Sequence, residues 1–286
     1  MIAGSERVRI DGHLLHRMVF TPEKSVEVRA CAIFYHGQGD YAERYTDVLD
    51  VFTRRGIKCI ITELRGHGHS PGRRGHCGDE QLLNAVVLDT LEEIGDVPYG
   101  VMGHSMGGLL ALRHLILAGR GQYAEPSFAW LSSPLVRPSA RRSKWFKTAL
   151  RFLAPMMPSL TVNTGVTPQM CRVKSDDPDQ PPPPPKHQLW HRRVSIGWGA
   201  ALLDIEQLVN EHAEEVSASL PLIYTQGAED PVCPVETARE FFSKLADGNS
   251  EYHEFEGMLH EPFNGEGNDK LFAALESWLD QLDLGK

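Results

Sequence analysis

In this chain of 286 residues, a serine between two glycines is the first residue whose sequence context indicates a catalytic role. Residues 103–107 follow the pattern Gly-x-Ser-x-Gly, with Ser105 at the centre. A serine aimed outward from a sharp strand-to-helix turn takes a strained backbone conformation, and the flanking positions must lack side chains. Gly103 and Gly107 meet that need. The pattern predicts an exposed hydroxyl beside the N–H groups that open a helix, where developing negative charge is stabilised.

The residues around Ser105 fit a strand–turn–helix context. An apolar run at 98–102 precedes the serine, and an apolar segment at 109–118, closed by Gly119, follows it. The first run is typical of a short strand and the second of a buried helix. This context favours a nucleophilic serine over a glycine and serine turn that has no chemistry.

A serine hydroxyl is a weak nucleophile near neutral pH, so it needs a base within hydrogen-bond reach and a third group that orients the base. Asp230 follows a predicted strand at 222–225, and His260 follows a predicted strand at 251–255. We therefore predict that His260 is the base and Asp230 the orienting acid for Ser105. The chain order Ser, Asp, His is one in which such triads occur.

Two neighbouring residues leave alternatives open. Glu229 is adjacent to Asp230, and the sequence does not exclude it as the orienting group. Adjacent side chains point in different directions, so only one of the two acids can face the histidine. His253 lies inside the predicted strand rather than after it, which makes it a weaker candidate for the base.

Acyl transfer through a serine also needs two hydrogen-bond donors for the oxyanion of the tetrahedral intermediate. The backbone N–H of Met106, directly after the serine, is one expected donor. The glycine-rich turn that follows a predicted strand at 30–35 should supply the other, and Gln38 is the candidate there. His36, in the same turn, is expected to bond nearby backbone and to have a structural role.

The elements that must position these residues alternate along most of the chain. Two antiparallel strands around Asp11-Gly12 open it, and the regular exchange of strands and helices that follows implies parallel pairing with right-handed crossovers. The prediction is an α/β fold with a mostly parallel, doubly wound sheet of about eight strands. The predicted strands are 7–10, 14–20, 30–35, 58–64, 98–102, 128–132, 222–225 and 251–255, and the helices are 44–55, 80–94, 109–118, 202–217, 237–245 and 268–282.

The alternation breaks between residues 135 and 200. Basic and apolar helical pieces replace it, the clearest at 141–153, together with a run of prolines at 181–185. A segment of this length that lacks the alternation of strands and helices, inside a domain built on a sheet, is best treated as an insertion. We predict a core of residues 1–134 and 201–286 and a helical lid at 135–200. The proline run is expected to be a rigid polyproline II spacer within the lid.

The predicted lid carries charge opposite to the remainder of the chain. It contains eleven Lys or Arg residues against three Asp residues, about +8, whereas the remainder carries about −17. Large apolar residues alternate with this positive charge. The pattern fits a surface that rests on anionic lipid or admits an acyl chain. It fits equally a lid whose apolar residues pack on the core while its arginines stay solvated.

Composition narrows the class of protein further. A net charge of −9 argues against a nucleic-acid-binding surface. Five widely spaced cysteines without a C-x-x-C pair predict reduced thiols in a cytoplasmic protein. If the lid surface rests on lipid, the protein is also peripheral at the membrane. Neither a signal-peptide pattern nor a run of about 20 apolar residues is visible. His67, His69 and His76 lack metal-ligand spacing and lie in a glycine-rich loop, so no metal site is predicted.

Three motifs together resemble one known family. Residues 36–45, 65–76 and 103–108 are similar to the monoacylglycerol lipase and lysophospholipase branch of the α/β-hydrolases, with a serine aminopeptidase S33-type domain. The resemblance covers nearly all of the chain outside the predicted lid, and it implies neither a cofactor nor a metal. Carried over by position, it implies the same site: Ser105 as nucleophile, Asp230 as acid, His260 as base, and Gln38 and Met106 as oxyanion donors.

These patterns predict a serine hydrolase that cleaves a carboxylic ester of a lipid-like small molecule through an acyl-enzyme. The resemblance implies monoacylglycerol and lysophospholipid as the leading substrate classes. The alternative within enzymes is a carboxylesterase for small soluble esters. A ligand-binding or scaffold protein on the same fold is the alternative outside enzymes. The oligomeric state is not predicted.

Overall fold

The computed structural model describes residues 1–137, 144–171, 189–265 and 267–284, and within them the strands form two sheets. The strands are β1 (Ile2–Ile10), β2 (His13–Thr21), β3 (Ala30–Tyr35), β4 (Ile57–Glu63), β5 (Tyr99–His104), β6 (Phe128–Ser132), β7 (Thr161–Asn163), β8 (Arg193–Ser195), β9 (Leu222–Gly227) and β10 (Ser250–Phe255). Eight of them form the central sheet, in the spatial order β1-β2-β4-β3-β5-β6-β9-β10, and β7 pairs with β8 in a separate sheet.

Helices cover both faces of the central sheet. They are α1 (Thr46–Thr53), α2 (Glu80–Ile94), α3 (Met106–Gly119), α4 (Lys144–Leu153), α5 (Pro168–Cys171), α6 (Ile196–Glu211), α7 (Val235–Phe242) and α8 (Asp269–Leu279). Apolar side chains of α1 and α8 pack on one face, those of α2, α3 and α7 pack on the other, and α6 packs against α3. This is the doubly wound arrangement that the alternation of strands and helices predicts.

The strand directions confirm a mostly parallel sheet. Every pair from β4 across to β10 is parallel, whereas β1 pairs with β2, and β2 with β4, in antiparallel fashion. Asp11 and Gly12 join β1 to β2 with φ values of 44° and 76°, as a two-residue turn of type I′ requires. Because β3, β5, β9 and β10 run in the same direction, the loops after them lie at one edge of the sheet.

The 135–200 segment differs from its prediction in two ways. It contains the short antiparallel pair β7 and β8, and its last helix, α6, begins at Ile196 rather than at the predicted residue 202. Strands of three residues are too short to show an alternating pattern. The early start of α6 has a local cause, because the Ser195 side chain accepts a hydrogen bond from the N–H of Trp198 and so caps the helix.

Two further features bear on the predictions. The five cysteines are buried and none forms a disulfide. In the part of the chain that the structure describes, no helix is both long and apolar enough to cross a membrane. The proline run at 181–185 lies outside the described residues, and the division into core and lid stays a prediction.

Candidate active site

Ser105 occupies the turn between β5 and α3, in the backbone conformation that the glycine pattern predicts. Its φ of 56° and ψ of −119° lie outside the regions that residues with a side chain ordinarily adopt. Such strain persists only where the surroundings hold it in place. Here the N–H of Ser105 donates to the carbonyl of Ser132, and its own carbonyl accepts from the N–H of Leu109.

The flanking glycines are required by close backbone contacts. A Cβ atom on Gly103 would lie 2.2 Å from the carbonyl oxygen of Gly107. A Cβ atom on Gly107 would lie 1.8 Å from the carbonyl oxygen of Tyr35 at the end of β3. Only glycine fits at either position, and the second contact brings the start of α3 against the turn that follows β3.

Three side chains that are distant along the chain meet at this edge of the sheet. The Nε2 atom of His260 lies 2.8 Å from Oγ of Ser105, and its Nδ1 atom lies 2.8 Å from Oδ2 of Asp230. All three side chains are buried, whereas the glycine pattern predicts an exposed serine hydroxyl. Residues of the 135–200 segment line the cavities that Ser105 borders, which accounts for the difference. The structure therefore brings together the serine, histidine and aspartate that the chain order singled out.

The carboxylate of Asp230 is held in the ionised state. Burial alone would raise its pKa, but His260 and the N–H groups of Cys233 and Val232 lower the pKa below its ordinary value. Those two N–H groups donate to Oδ1 at 2.9 and 2.8 Å. The side-chain amide of Gln226 donates to Oδ2 at 3.0 Å, a supporting contact that the sequence analysis missed.

The same pairing sets the protonation of His260. Burial alone would lower its pKa, but the carboxylate of Asp230 raises the pKa above its ordinary value. A carboxylate can only accept a hydrogen bond, so Nδ1 is the nitrogen that donates to Asp230. In the neutral ring, Nε2 is then free to accept the hydroxyl proton of Ser105.

The two alternative residues are not brought to the serine. Glu229 is exposed to solvent, although it precedes the buried Asp230. His253 lies on β10, where its Nε2 atom is 3.0 Å from Oε2 of Glu251. Asp230 and His260, rather than Glu229 and His253, therefore form the hydrogen-bonded chain to Ser105.

The two predicted oxyanion residues, Gln38 and Met106, lie near the serine. Met106 is the first residue of α3, so its backbone N–H has no partner within the helix. Gln38 and Ser105 line the same two cavities. The side chain of Gln38 is occupied elsewhere: its Nε2 donates to the carbonyl of Arg193 at 2.7 Å, and its Oε1 accepts from Nε1 of Trp198 at 3.1 Å.

Histidines near the turn after β3 bond to separate partners. Nε2 of His36 accepts from the N–H of Leu64 at 3.0 Å, and Nδ1 donates to the carbonyl of Gly37 at 2.8 Å. This is the structural role expected for His36. His69 pairs with Glu43, whereas Nδ1 of His76 lies 3.0 Å from Oγ of Ser195, so these two histidines of the 65–76 loop bond to different elements.

A buried network of charged and polar side chains joins two loops beside the site. Arg44 pairs with Glu261, and its Nε atom lies 2.9 Å from Oδ1 of Asp40. The hydroxyl of Tyr45 donates to Oδ2 of Asp40 at 2.6 Å and accepts from the N–H of Gly37 at 2.9 Å. The network connects the turn after β3, which carries Gln38, to the loop after β10, which carries His260.

Among the described residues, one group of three side chains has ligand atoms close enough to share a metal ion. These are Asp230, Cys233 and His260, whose ligand atoms lie within 4.8 Å of one another. Asp230 and His260 already bond to each other. The group fits proton transfer to and from Ser105 better than it fits a metal.

Two cavities meet at Ser105 and differ in character. The larger has a volume of about 620 Å³ and is enclosed mainly by aliphatic side chains of α3, α4, α6, β7 and β8. The smaller has more polar walls, which include His191, Arg192, His260 and Glu261. Ser105 therefore borders both an apolar cavity and a smaller, more polar one. Aliphatic residues of the larger cavity include Leu109, Leu135, Leu150, Val162, Val166, Val194, Ile196, Leu202 and Leu203.

Comparison with known proteins agrees with this geometry. The chain is similar to phospholipase YtpA of Bacillus subtilis, with 28% identity over 88% of this chain and 95% of that protein. It is 26% identical to the monoacylglycerol lipase of Mycolicibacterium smegmatis over 91% of each chain. An uncharacterized abhydrolase domain-containing protein of Dictyostelium discoideum is 26% identical over 95% of this chain, which spans 28% of that longer protein.

A solved structure supports the fold. The monoacylglycerol lipase of Paleococcus ferrophilus superposes with a TM-score of 0.79 over 94% of this chain and 99% of its own, at 24% identity. The family model for serine aminopeptidase, S33, matches residues 26–267, which is most of the chain. The resemblance inferred from the three sequence motifs is confirmed. The chain belongs to the serine aminopeptidase S33 family of α/β-hydrolases and is a serine ester hydrolase.

Proposed function

We propose that this protein hydrolyses a carboxylic ester of a lipid-like substrate, a monoacylglycerol or a lysophospholipid, through an acyl-enzyme on Ser105. The observation that carries the proposal is the hydrogen-bonded chain from Ser105 through His260 to Asp230 at the end of an apolar cavity of about 620 Å³. The names of two relatives, a phospholipase and a monoacylglycerol lipase, support a lipid ester as the substrate.

Acylation begins when Nε2 of His260 removes the hydroxyl proton of Ser105 as Oγ attacks the ester carbonyl carbon. Asp230 stabilises the imidazolium that forms, because its carboxylate lies 2.8 Å from Nδ1. The backbone N–H groups of Gln38 and Met106 receive the oxyanion. Loss of one such donor typically lowers kcat by about 10²–10³-fold. His260 then gives its proton to the departing alcohol oxygen, and the acyl group stays on Ser105.

Deacylation repeats the same steps with water. His260 takes a proton from a water molecule, whose oxygen attacks the acyl carbonyl carbon. The tetrahedral intermediate collapses, the proton returns to Oγ of Ser105, and the fatty acid leaves. The sum of the two stages is one ester and one water consumed, with one alcohol and one acid formed.

The acyl and alcohol portions of the substrate are proposed to bind in different cavities. The acyl chain fits the larger, aliphatic cavity, where its transfer from water is favourable. The alcohol portion fits the smaller cavity, beside His191, Arg192 and Glu261. A carboxylesterase for small soluble esters has no use for an apolar cavity of this size, which makes that alternative the weaker one.

The 135–200 segment is proposed to be the lid of this site. Residues of α4, β7, β8 and α6 provide most of one wall of the larger cavity. The segment also exposes large apolar side chains, with Trp145 78%, Phe152 73% and Met156 69% exposed. Exposed apolar side chains next to basic residues fit a lipid surface, and we propose that this part of the lid contacts membranes.

A substrate panel with matched variants tests the proposed function. Wild-type protein should hydrolyse monoacylglycerol and lysophosphatidylcholine faster than a nitrophenyl acetate. Ser105→Ala should lose turnover on every ester while keeping its unfolding transition, and Ser243→Ala, an exposed serine after α7, should keep full activity. Retained hydrolysis by Ser105→Ala would reject the nucleophile. A clear preference for acetyl esters would instead favour the small-ester carboxylesterase.

A further inference from the structure

One indole N–H contacts the side chains of both proposed oxyanion residues. Trp198 lies in the first turn of α6 and is buried. Its Nε1 atom lies 3.1 Å from Oε1 of Gln38 and 3.3 Å from Sδ of Met106. Gln38 belongs to the turn after β3, and Met106 opens α3. A single donor from the 135–200 segment therefore bridges the two elements that flank the oxyanion.

The carboxamide of Gln38 is held from both ends by that segment. While Oε1 accepts from Trp198, Nε2 donates to the carbonyl of Arg193 on β8 at 2.7 Å. The side chain therefore cannot rotate without losing both hydrogen bonds. Because the side chain is fixed, the backbone of Gln38, which carries the proposed donor N–H, is fixed with it.

Trp198 is itself anchored to the core. Its backbone N–H donates to Oγ of Ser195 at 3.1 Å, and that hydroxyl lies 3.0 Å from Nδ1 of His76. The N–H of Ser195 also donates to the carbonyl of Gly75 at 2.8 Å. These hydrogen bonds fix the start of α6 to the 65–76 loop. The indole that bonds to Gln38 is therefore itself held in position.

Backbone contacts next to Gln38 also hold the turn against the chain before β8. The N–H of His191 donates to the carbonyl of Gly39 at 3.0 Å, and a Cβ atom on Gly39 would lie 1.8 Å from the carbonyl oxygen of His191. The turn and the chain before β8 therefore touch through backbone alone. Donors must lie about 2.7–3.1 Å from the developing oxyanion, so displacements of a few tenths of an ångström weaken them.

We propose that Trp198 is a positioning residue for ester hydrolysis: its N–H holds the side chains of Gln38 and Met106 so that their backbone N–H groups meet the oxyanion. The inference rests on the proposed function of Ser105, Gln38 and Met106. It makes the 135–200 segment a part of the catalytic alignment as well as a wall of the acyl cavity.

Removal of a positioning residue and removal of a cavity-wall residue change the kinetics in different ways. Removal of a wall residue changes how long acyl chains bind, and acetyl esters are scarcely affected. Loss of oxyanion alignment lowers kcat for every acyl length, because the oxyanion forms in each reaction. Affinity for a boronic acid inhibitor, which forms a tetrahedral adduct on Oγ of Ser105, should fall together with kcat.

Trp198→Phe is the direct test, since it keeps an aromatic ring and removes the N–H. We expect kcat to fall about 10–100-fold for acetyl and long-chain esters alike, with KM within about twofold, because misaligned donors lose part of their stabilisation. Trp278→Phe, the same change in the buried face of α8, is the matched control and should leave kcat unchanged. Unchanged kcat in Trp198→Phe, or a loss confined to long-chain esters, would overturn the inference.

Gln38→Met provides a second test, because it removes the carboxamide and keeps the backbone N–H. Its kcat should also fall for every ester, and the double variant with Trp198→Phe should lose less than the product of the single losses. Fully multiplicative losses would show that the two side chains act independently. If Trp198→Phe does not fold, an unaltered kcat in Gln38→Met still overturns the inference. Active Ser105→Ala would instead reject the proposed function itself.

Discussion

The ionisation of the His260–Asp230 pair predicts a specific pH dependence at the scale of the residue. The base must be neutral to take the serine proton, so kcat/KM should fall as pH falls through the pKa of His260. Asp230 raises that pKa above its ordinary value. Asp230→Asn should therefore move the acid limb to lower pH, and kcat should drop by about 10³–10⁴-fold. Profiles of kcat/KM between about pH 5 and pH 9 measure both effects.

Glu229→Gln is the matched control for that variant. Its carboxyl group is exposed and adjacent in sequence to the buried Asp230. Rate and profile should match those of the wild type. A large loss in Glu229→Gln, or an acid limb that stays in place in Asp230→Asn, would contradict the assignment of the orienting acid.

Residues of the site differ in how well sequence could identify them. Ser105, Asp230 and His260 each follow a predicted strand, so their convergence follows from the parallel sheet. No local sequence pattern predicts the hydrogen bond from Gln226 to Asp230 or the pairing of Arg44 with Glu261. Those contacts join buried polar side chains whose partners are set by the packing of distant loops, and no spacing along the chain encodes them.

At the scale of the element, the contact between the turn after β3 and the chain before β8 predicts that alanine substitutions at two glycines differ in their cost to stability. Gly12 and Gly39 both have positive φ, 76° and 80°. A Cβ atom on Gly12 would meet nothing within 4 Å, whereas on Gly39 it would collide with the carbonyl of His191. Gly12→Ala should cost about 1–3 kcal/mol of stability through backbone strain alone.

Gly39→Ala should cost more than Gly12→Ala and should also lower kcat, because the chain before β8 must move away from Gln38. Denaturant unfolding gives the two free energies of unfolding, and ester hydrolysis gives kcat. Equal stability losses, with kcat unchanged in both variants, would show that this contact is not tight in solution.

Element boundaries were predictable where local patterns dominate. The predicted strands at 30–35 and 128–132 and the helix at 80–94 coincide with β3, β6 and α2. Each is a strongly apolar run or a periodic helix. The start of α6 and the pairing of β7 with β8 were not predicted, because neither a single capping serine nor a three-residue strand produces a recognisable sequence pattern.

At the scale of the whole molecule, the apolar cavity predicts that acyl length can be tuned from one helix position. Gly199 lies on α6 and lines the cavity, and a Cβ atom there would make ordinary contacts with Leu150 at 3.7 Å and Val194 at 3.9 Å. Gly199→Leu should fit and fill the cavity. Rates for long-chain esters should fall about tenfold or more, whereas acetyl esters should be hydrolysed as before.

Gly199→Ala is the control, because it adds one carbon and leaves most of the cavity open. Both variants should be at least as stable as the wild type, since glycine within a helix costs about 1 kcal/mol. An unaltered chain-length profile in Gly199→Leu would place the acyl chain elsewhere.

The exposed apolar side chains of α4 predict an association with lipid surfaces. Co-sedimentation with anionic vesicles should decrease several-fold when Trp145 and Phe152 are both changed to Ser, because apolar contact with the bilayer is lost. Leu88→Ser, at a 53% exposed position on α2, should leave binding unchanged. Equal binding by all three proteins would contradict membrane contact through the lid.

Every step of the proposed reaction depends on Ser105 as the nucleophile and on its activation by His260. Treatment with a fluorophosphonate, followed by mass spectrometry of peptides, tests both roles. We expect one covalent adduct on the oxygen of Ser105, hydrolysis lost in proportion to labelling, and labelling strongly slowed in His260→Ala. An adduct on another residue, or full ester hydrolysis by protein already labelled at Ser105, would contradict these roles.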